Sequence, residues 1–120
     1  MKILIVENEP TLREILEEVL SAGDHEVKAI ATGASGLEAL ERWPPDVLVT
    51  DLGLPGADGE DVAQAATLLL PRPWIVLMSA EPGRLESARF LSDAVLHKPF
   101  QMDDLLSLIE LFYRRFLRRI

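Results

Sequence analysis

Glu7, Asn8, Asp51, Ser79 and Lys98 are the residues whose types and positions could do chemistry together. Each stands at or just after the end of a short apolar run: Ile3 to Val6, Val47 to Thr50, Trp74 to Met78 and Ala94 to His97. If those runs are neighbouring strands, two carboxylates, an amide, a hydroxyl and an ammonium meet in one crevice. Close carboxylates repel unless a cation joins them, and an all-oxygen donor set suits a hard ion such as Mg²⁺. Such an ion also tolerates a phosphoryl group, whose remaining charge Lys98 and Ser79 could bind. A carboxylate can itself accept a phosphoryl group and become an acyl phosphate. The set therefore points to phosphoryl transfer onto a carboxylate, and the chemistry alone does not choose between Asp51 and Glu7.

The elements that must position these residues alternate along the chain. Ile3 to Val6 is a continuous apolar run rich in β-branched residues, as expected of a strand buried on both faces. Pro10 suits the first turn of a helix capped by Asn8 or Glu9, with Leu12, Ile15, Leu16, Val19 and Leu20 at helical spacing and Gly23 as its stop. Glu26 to Ala31 reads as a weaker strand, and Ser35 to Trp43 as a helix closed by Pro44-Pro45. After the strand Val47 to Thr50, the turn formers from Gly53 to Gly59 predict a loop, and Glu60 to Leu70 a helix ended by Pro71 and Pro73. Trp74 to Met78 reads as a fourth strand and Arg84 to Leu91 as a short or irregular helix. Ala94 to His97 is a fifth strand and Met102 to Arg119 a long last helix.

Repeated βα units imply right-handed crossovers and a doubly wound α/β fold, a parallel sheet with helices on both faces. In such a sheet ligands bind beyond the carboxyl ends of the strands, which is where the polar set falls. A fragment of a larger dinucleotide-binding domain is the rival architecture. Glu7-Asn8-Glu9-Pro10 lacks the glycine-rich turn that a pyrophosphate requires.

The 120 residues suit one domain, 1–120, with no internal repeat or linker. No apolar run approaches the roughly 20 residues of a membrane span, and Met1 to Val6 is too short for a signal-peptide core. The absence of cysteine fits a reducing cytoplasm. A net charge of −8 argues against nucleic acid as a general partner, since its phosphates would repel the domain. The exception is the tail, where Arg114, Arg115, Arg118 and Arg119 read as a solvated helix end favoured by the helix dipole. The alternative is a partner-facing surface bearing Phe112, Tyr113, Phe116 and Leu117. His25 and His97 have no accompanying ligand cluster and read as structural or solvent-facing, while Trp43 and Trp74 read as packing loop ends onto the core.

Four motifs in order, Ile3 to Pro10, Asp51 to Gly59, Ser79-Ala80 and Lys98-Pro99-Phe100, resemble the receiver domain of two-component response regulators over the whole chain. Each is weak alone; in series, each at a strand's end, they are specific. The resemblance implies a flavodoxin-like fold of the CheY type with strand order 2-1-3-4-5. It makes Asp51 the phosphoacceptor, served by a histidine kinase or phosphotransfer protein, in a cytoplasmic signalling module that is not a turnover enzyme. It places Glu7 in the acidic pocket and makes Glu7, Asn8, Asp51 and the Gly53 backbone carbonyl the ligands of Mg²⁺. Ser79 and Lys98 would bind phosphoryl oxygens, and the Lys98-Pro99 bond would be cis. A homodimer is among the assemblies it allows.

Three features depart from that pattern. Asn8 stands where the family usually has a second acid, which lowers the charge available to a hard cation. Val95 occupies the place of the family's aromatic switch residue and is too small for that role. The stretch from Ser79 to Lys98 is short and opens with Glu81-Pro82-Gly83, a helix-unfriendly sequence that predicts a shortened fourth helix. Two rival functions follow: a pseudo-receiver that keeps the fold as a binding module, and a small phosphatase or hydrolase with Asp51 as nucleophile. The second lacks an evident acid–base partner. As nothing follows Ile120, the chain reads as a stand-alone receiver or an excised domain.

Overall fold

The apolar runs form the strands of one parallel sheet in the computed structural model of the chain, which describes residues 1–55 and 58–119. The strands are β1 (Lys2–Val6), β2 (Glu26–Ile30), β3 (Val47–Asp51), β4 (Trp74–Ser79) and β5 (Ala94–His97). The helices are α1 (Pro10–Ser21), α2 (Gly33–Arg42), α3 (Gly59–Thr67), α4 (Pro82–Ala88) and α5 (Met102–Arg119), with a 3₁₀ turn at Arg89–Leu91. The sheet order is β2-β1-β3-β4-β5, so the flavodoxin-like architecture expected from the sequence is the one adopted.

The period of two along each strand divides the core into two layers. Ile3, Ile5, Val47, Val49, Val76 and Met78 face α1 and α5, where they meet Leu16, Leu20, Leu105, Ile109 and Phe112. Leu4, Val6, Leu48, Ile75 and Leu77 face the other side and meet Leu40, Val62, Ala66 and Leu85. Ile3 to Val6 have no exposed surface at all, and each such side chain contributes about 1.5–3 kcal/mol of burial. The edge strand β2 alternates between exposed and half-buried residues, which accounts for its weaker apolar signal.

Register carries the polar set to one edge. Val6 pairs with Thr50, Asp51 with Met78 and Ser79 with His97. The residues that follow these pairs therefore emerge side by side at the carboxyl ends of β1, β3, β4 and β5.

Local differences from the sequence reading have identifiable causes. Of the two α1 caps that the sequence offers, Glu9 is the one used, its carboxylate accepting from the Thr11 and Leu12 N–H groups. The left-handed residue after α1 is Asp24 (φ 64°) rather than Gly23. Helix α2 begins at Gly33, two residues before the expected Ser35, because Thr32 caps it through the Ser35 N–H. Helix α3 stops at Thr67 instead of Leu70, leaving Leu68 and Leu70 exposed. Glu81-Pro82-Gly83 does not bar α4 but opens it, since a proline in the first turn sacrifices no helical hydrogen bond. At seven residues α4 is nevertheless the shortest of the five helices. Within the expected loop from Gly53 to Gly59, Gly56 and Ala57 lie outside the described residues, as does Ile120.

Phe112, which the alternative reading of the tail places on a partner-facing surface, is instead buried and stacks on Trp74 at 5.5 Å between ring centroids. The Arg119 guanidinium lies 4.2 Å from the centroid of the same indole. His25 sits edge-on to Tyr113 and its Nδ1 is 3.1 Å from the terminal amine, a structural role as expected. His97 is exposed.

One glycine is required by close approach of the backbone. A Cβ on Gly59 would stand 1.8 Å from the Asp51 carbonyl oxygen, because the head of α3 is pressed against the end of β3. Gly59→Ala should therefore destabilise the fold by about 3 kcal/mol or more. Gly83→Ala, whose added methyl meets nothing within 4 Å, should be neutral or stabilising by up to about 1 kcal/mol. Chemical denaturation of the two variants checks the ranking.

Candidate functional site

Glu7 follows β1 directly and is fully buried, an expensive place for a carboxylate. Its backbone N–H continues the sheet to the Ile30 carbonyl at 3.0 Å. Its carboxylate accepts the Glu9 N–H at Oε2 (3.0 Å) and Lys98 Nζ at Oε1 (2.6 Å). Asp51 closes β3 and is 7 % exposed. Its Oδ1 accepts the Gly53 N–H at 3.0 Å and its Oδ2 accepts the same Lys98 Nζ at 2.8 Å. One ammonium thus bridges two carboxylates that come from strands adjacent in the sheet.

Lys98 reaches them because its own N–H extends the β4–β5 ladder to the Ser79 carbonyl at 2.8 Å. The Lys98-Pro99 bond is cis, as expected. The buried Ser79 hydroxyl accepts the Glu81 N–H at 3.0 Å, so its own proton remains a donor. Asp51, Gly53, Ser79, Ala80, Glu81, Arg84 and Lys98 line a cavity of about 200 Å³. A second, apolar groove of about 310 Å³ abuts it on the far side of Lys98, between Leu12, Phe100 and Met102.

Burial is the largest single influence on Lys98 and opposes its charge. The hydrogen bonds and charges of Asp51 and Glu7 together outweigh burial and raise its pKa above the usual lysine value. Glu9 is held below the ordinary carboxylate range, first by the Leu12 N–H and then by that of Thr11, consistent with its role as the α1 cap.

The sequence-derived residues do not all converge. Glu7, Asp51, Ser79, Gly53 and Lys98 do. Asn8 is exposed at the rim, and Val95 is half-buried on the α2–α3–α4 side of the sheet. Among the described residues no group of three or more His, Cys, Asp or Glu side chains could hold a metal ion. Two carboxylates with neutral oxygens beside them still match Mg²⁺, which keeps several waters and needs only one or two carboxylates besides phosphate oxygens.

Two arginines were missed by sequence reasoning. Arg13 Nη1 donates to the Glu7 and Asn8 carbonyls at 3.0 and 3.3 Å and fixes the turn after β1. Arg84 lines the cavity and pairs with Asp58, the cap of α3. Its signal was its position, in the first turn of a helix that starts at the edge where Ser79 ends.

The family model described as the response regulator receiver domain matches residues 3–110. The chain is 34 % identical over 116 residues to the transcriptional regulatory protein KdpE of Mycobacterium tuberculosis, covering 94 % of this chain and 51 % of that protein. It is 33 % identical over 120 residues to the transcriptional regulatory protein TcrA of the same species, with coverages of 96 % and 47 %. The chain thus spans about half the length of these curated relatives. Among solved structures it is similar to the response regulator TrrA of Thermotoga maritima in complex with Mg²⁺-BeF. The TM-score is 0.83 at 26 % identity, over 92 % of this chain and 97 % of that one. The BeF₃-activated DrrB receiver domain shares the fold, with a TM-score of 0.85 at 22 % identity over 94 % of this chain and 97 % of that one.

Lys98→Ala removes the only cation among the described residues that bonds both carboxylates, and leaves the buried Glu7 charge uncompensated. Stability should fall by about 2–3 kcal/mol at neutral pH, with the deficit narrowing on acidification as protonation relieves the repulsion. Because the folded-state pKa of Lys98 is raised, its contribution in the parent is complete below the usual lysine value of 10.5. It is lost only as pH rises through the folded value. Denaturant midpoints of parent and variant across pH check both limbs.

Proposed function

The chain belongs to the response regulator receiver domain family, and on that premise we propose that it accepts a phosphoryl group on Asp51 from a histidine kinase or phosphotransfer protein and thereby switches its binding of a partner. The observation that carries this reading is the convergence of Lys98 and Ser79 on a nearly buried aspartate at the mouth of a small cavity. In the transfer, an Asp51 carboxylate oxygen forms a bond to phosphorus as the bond from phosphorus to the donor's imidazole nitrogen breaks. The leaving electron pair returns to that nitrogen. Lys98 then has phosphoryl oxygens as well as Glu7 to pair with, and the Ser79 hydroxyl donates its proton to one of them. Mg²⁺, held by Glu7, Asp51 and oxygens from Asn8 and the Gly53 carbonyl, would neutralise charge on the transferring group.

The apolar groove beside Lys98 gives a phosphodonor protein a surface to rest on next to the acceptor. Among the described residues no helix is long and apolar enough to cross a membrane, and the domain is read as working in the cytoplasm. The reaction is a single transfer onto the protein's own side chain, not turnover of a substrate.

Asn8 supports a second reading, a pseudo-receiver that binds a partner without phosphorylation, because its neutral amide stands exposed where a charged ligand would serve the metal better. Incubation with acetyl phosphate and Mg²⁺ separates the two. The first reading expects a phosphate-sized mass increase on Asp51, lost in Asp51→Asn and enhanced in Asn8→Asp. No increase in the parent, with recovery in Asn8→Asp, would favour the pseudo-receiver. An increase that persists in Asp51→Asn would move the acceptor elsewhere.

A further inference from the structure

Lys98 and Arg84 are the two cationic side chains lining the cavity at Asp51, and the transfer described above uses only the first. Arg84 lies in the first turn of α4, where its N–H bonds the Glu81 carbonyl at 3.1 Å. Its side chain is 29 % exposed and reaches across the cavity mouth, with Nη2 donating to Asp58 Oδ2. Asp58 holds two partners at once. Its Oδ1 caps α3 through the Glu60 N–H at 3.1 Å, while Oδ2 holds Arg84. The other terminal guanidinium nitrogen and Asp51 Oδ1 both lie beside Gly53. A Cβ on Gly53 would lie 3.9 Å from Arg84 Nη1 and 3.8 Å from Asp51 Oδ1. Gly53 carries no side chain, so the space between guanidinium and acceptor carboxylate is open.

We propose that Arg84 is a ligand for phosphoryl oxygens on Asp51, and that Asp58 is its resting partner in the unmodified domain. This rests on the reading of Asp51 as the phosphoacceptor. A phosphoryl group adds charge and several acceptor oxygens within the cavity, and a planar guanidinium suits such a group better than a half-exposed carboxylate does. When Arg84 transfers its donors inward, the tie between the head of α3 and the first turn of α4 is released. The α3 cap stays in place, because it uses the other oxygen of Asp58. The event at Asp51 is thereby communicated to α4 by a charged side chain, with no aromatic residue needed at Val95.

The test uses beryllofluoride with Mg²⁺ as the phosphoryl probe, titrated calorimetrically into the parent, Arg84→Ala, Arg84→Lys and Asp58→Asn. Arg84→Ala should weaken probe binding about tenfold, which is about 1.4 kcal/mol, and Arg84→Lys should weaken it less. Asp58→Asn keeps a side chain able to cap α3 but frees the guanidinium, so it should tighten binding severalfold. Should Arg84→Ala fail to fold, Arg84→Lys and Asp58→Asn still carry the comparison. A merely structural ion pair would make the Arg84 and Asp58 variants change binding in the same direction, and that result overturns the proposal. Parent-like binding by the Arg84 variants overturns it while leaving Asp51 as the acceptor. A parent that binds no probe overturns both readings.

Discussion

The Lys98 ammonium, bonded at once to Glu7 and Asp51, is the interaction on which the rest of the site depends. Glu7 is fully buried, and a buried carboxylate without a cation costs several kcal/mol. With Lys98 in place that cost is offset, and Asp51 is held with one oxygen on the ammonium and the other on the Gly53 N–H. The arrangement is stable but not saturated with positive charge: two acids share one base. On the proposed reading, that imbalance would favour a further cation and, through it, a phosphoryl group.

The sheet exists to make that meeting possible. Glu7 and Lys98 are 91 residues apart in sequence and are brought together by the order β2-β1-β3-β4-β5 and by its in-register parallel ladders. Continuous apolar strands, buried on both faces, fix the register, since a slip of one residue would exchange the two core layers. The close fit of Gly59 against the Asp51 carbonyl ties the head of α3 to the same strand end. Asp51 is therefore held from both sides by backbone that cannot move independently of the core.

Much of this was legible in the sequence because two different signals agreed. The apolar runs located the strands to within a residue or two, and of the polar residues at their ends Glu7, Asp51, Ser79 and Lys98 come together. What was not legible depended on side chains acting locally. The Thr32 cap extends α2 at its start, Asp24 takes the left-handed position beside Gly23, and Pro82 starts α4 two residues before the expected Arg84. Phe112 was misplaced because a long amphipathic helix does not reveal where its apolar stripe ends until Trp74 is seen to stack on it. Arg13 and Arg84 were missed because an arginine's reach is several residues long, so its partner cannot be read from spacing. Asn8 was singled out as a departure, and its exposure at the rim leaves the two carboxylates as the charged donors of the pocket.

The central claim is that the acid pair at Glu7 and Asp51 is deficient in positive charge and that Lys98 and Mg²⁺ can each relieve it. Thermal midpoints of the parent and of Lys98→Ala, measured with and without millimolar Mg²⁺, address it directly. Ligand binding to the folded state raises the midpoint, and tighter binding at a given concentration raises it further. The account predicts that Mg²⁺ stabilises both proteins and stabilises the variant more, because the metal there replaces the missing ammonium. Equal indifference of both proteins to Mg²⁺ would contradict it.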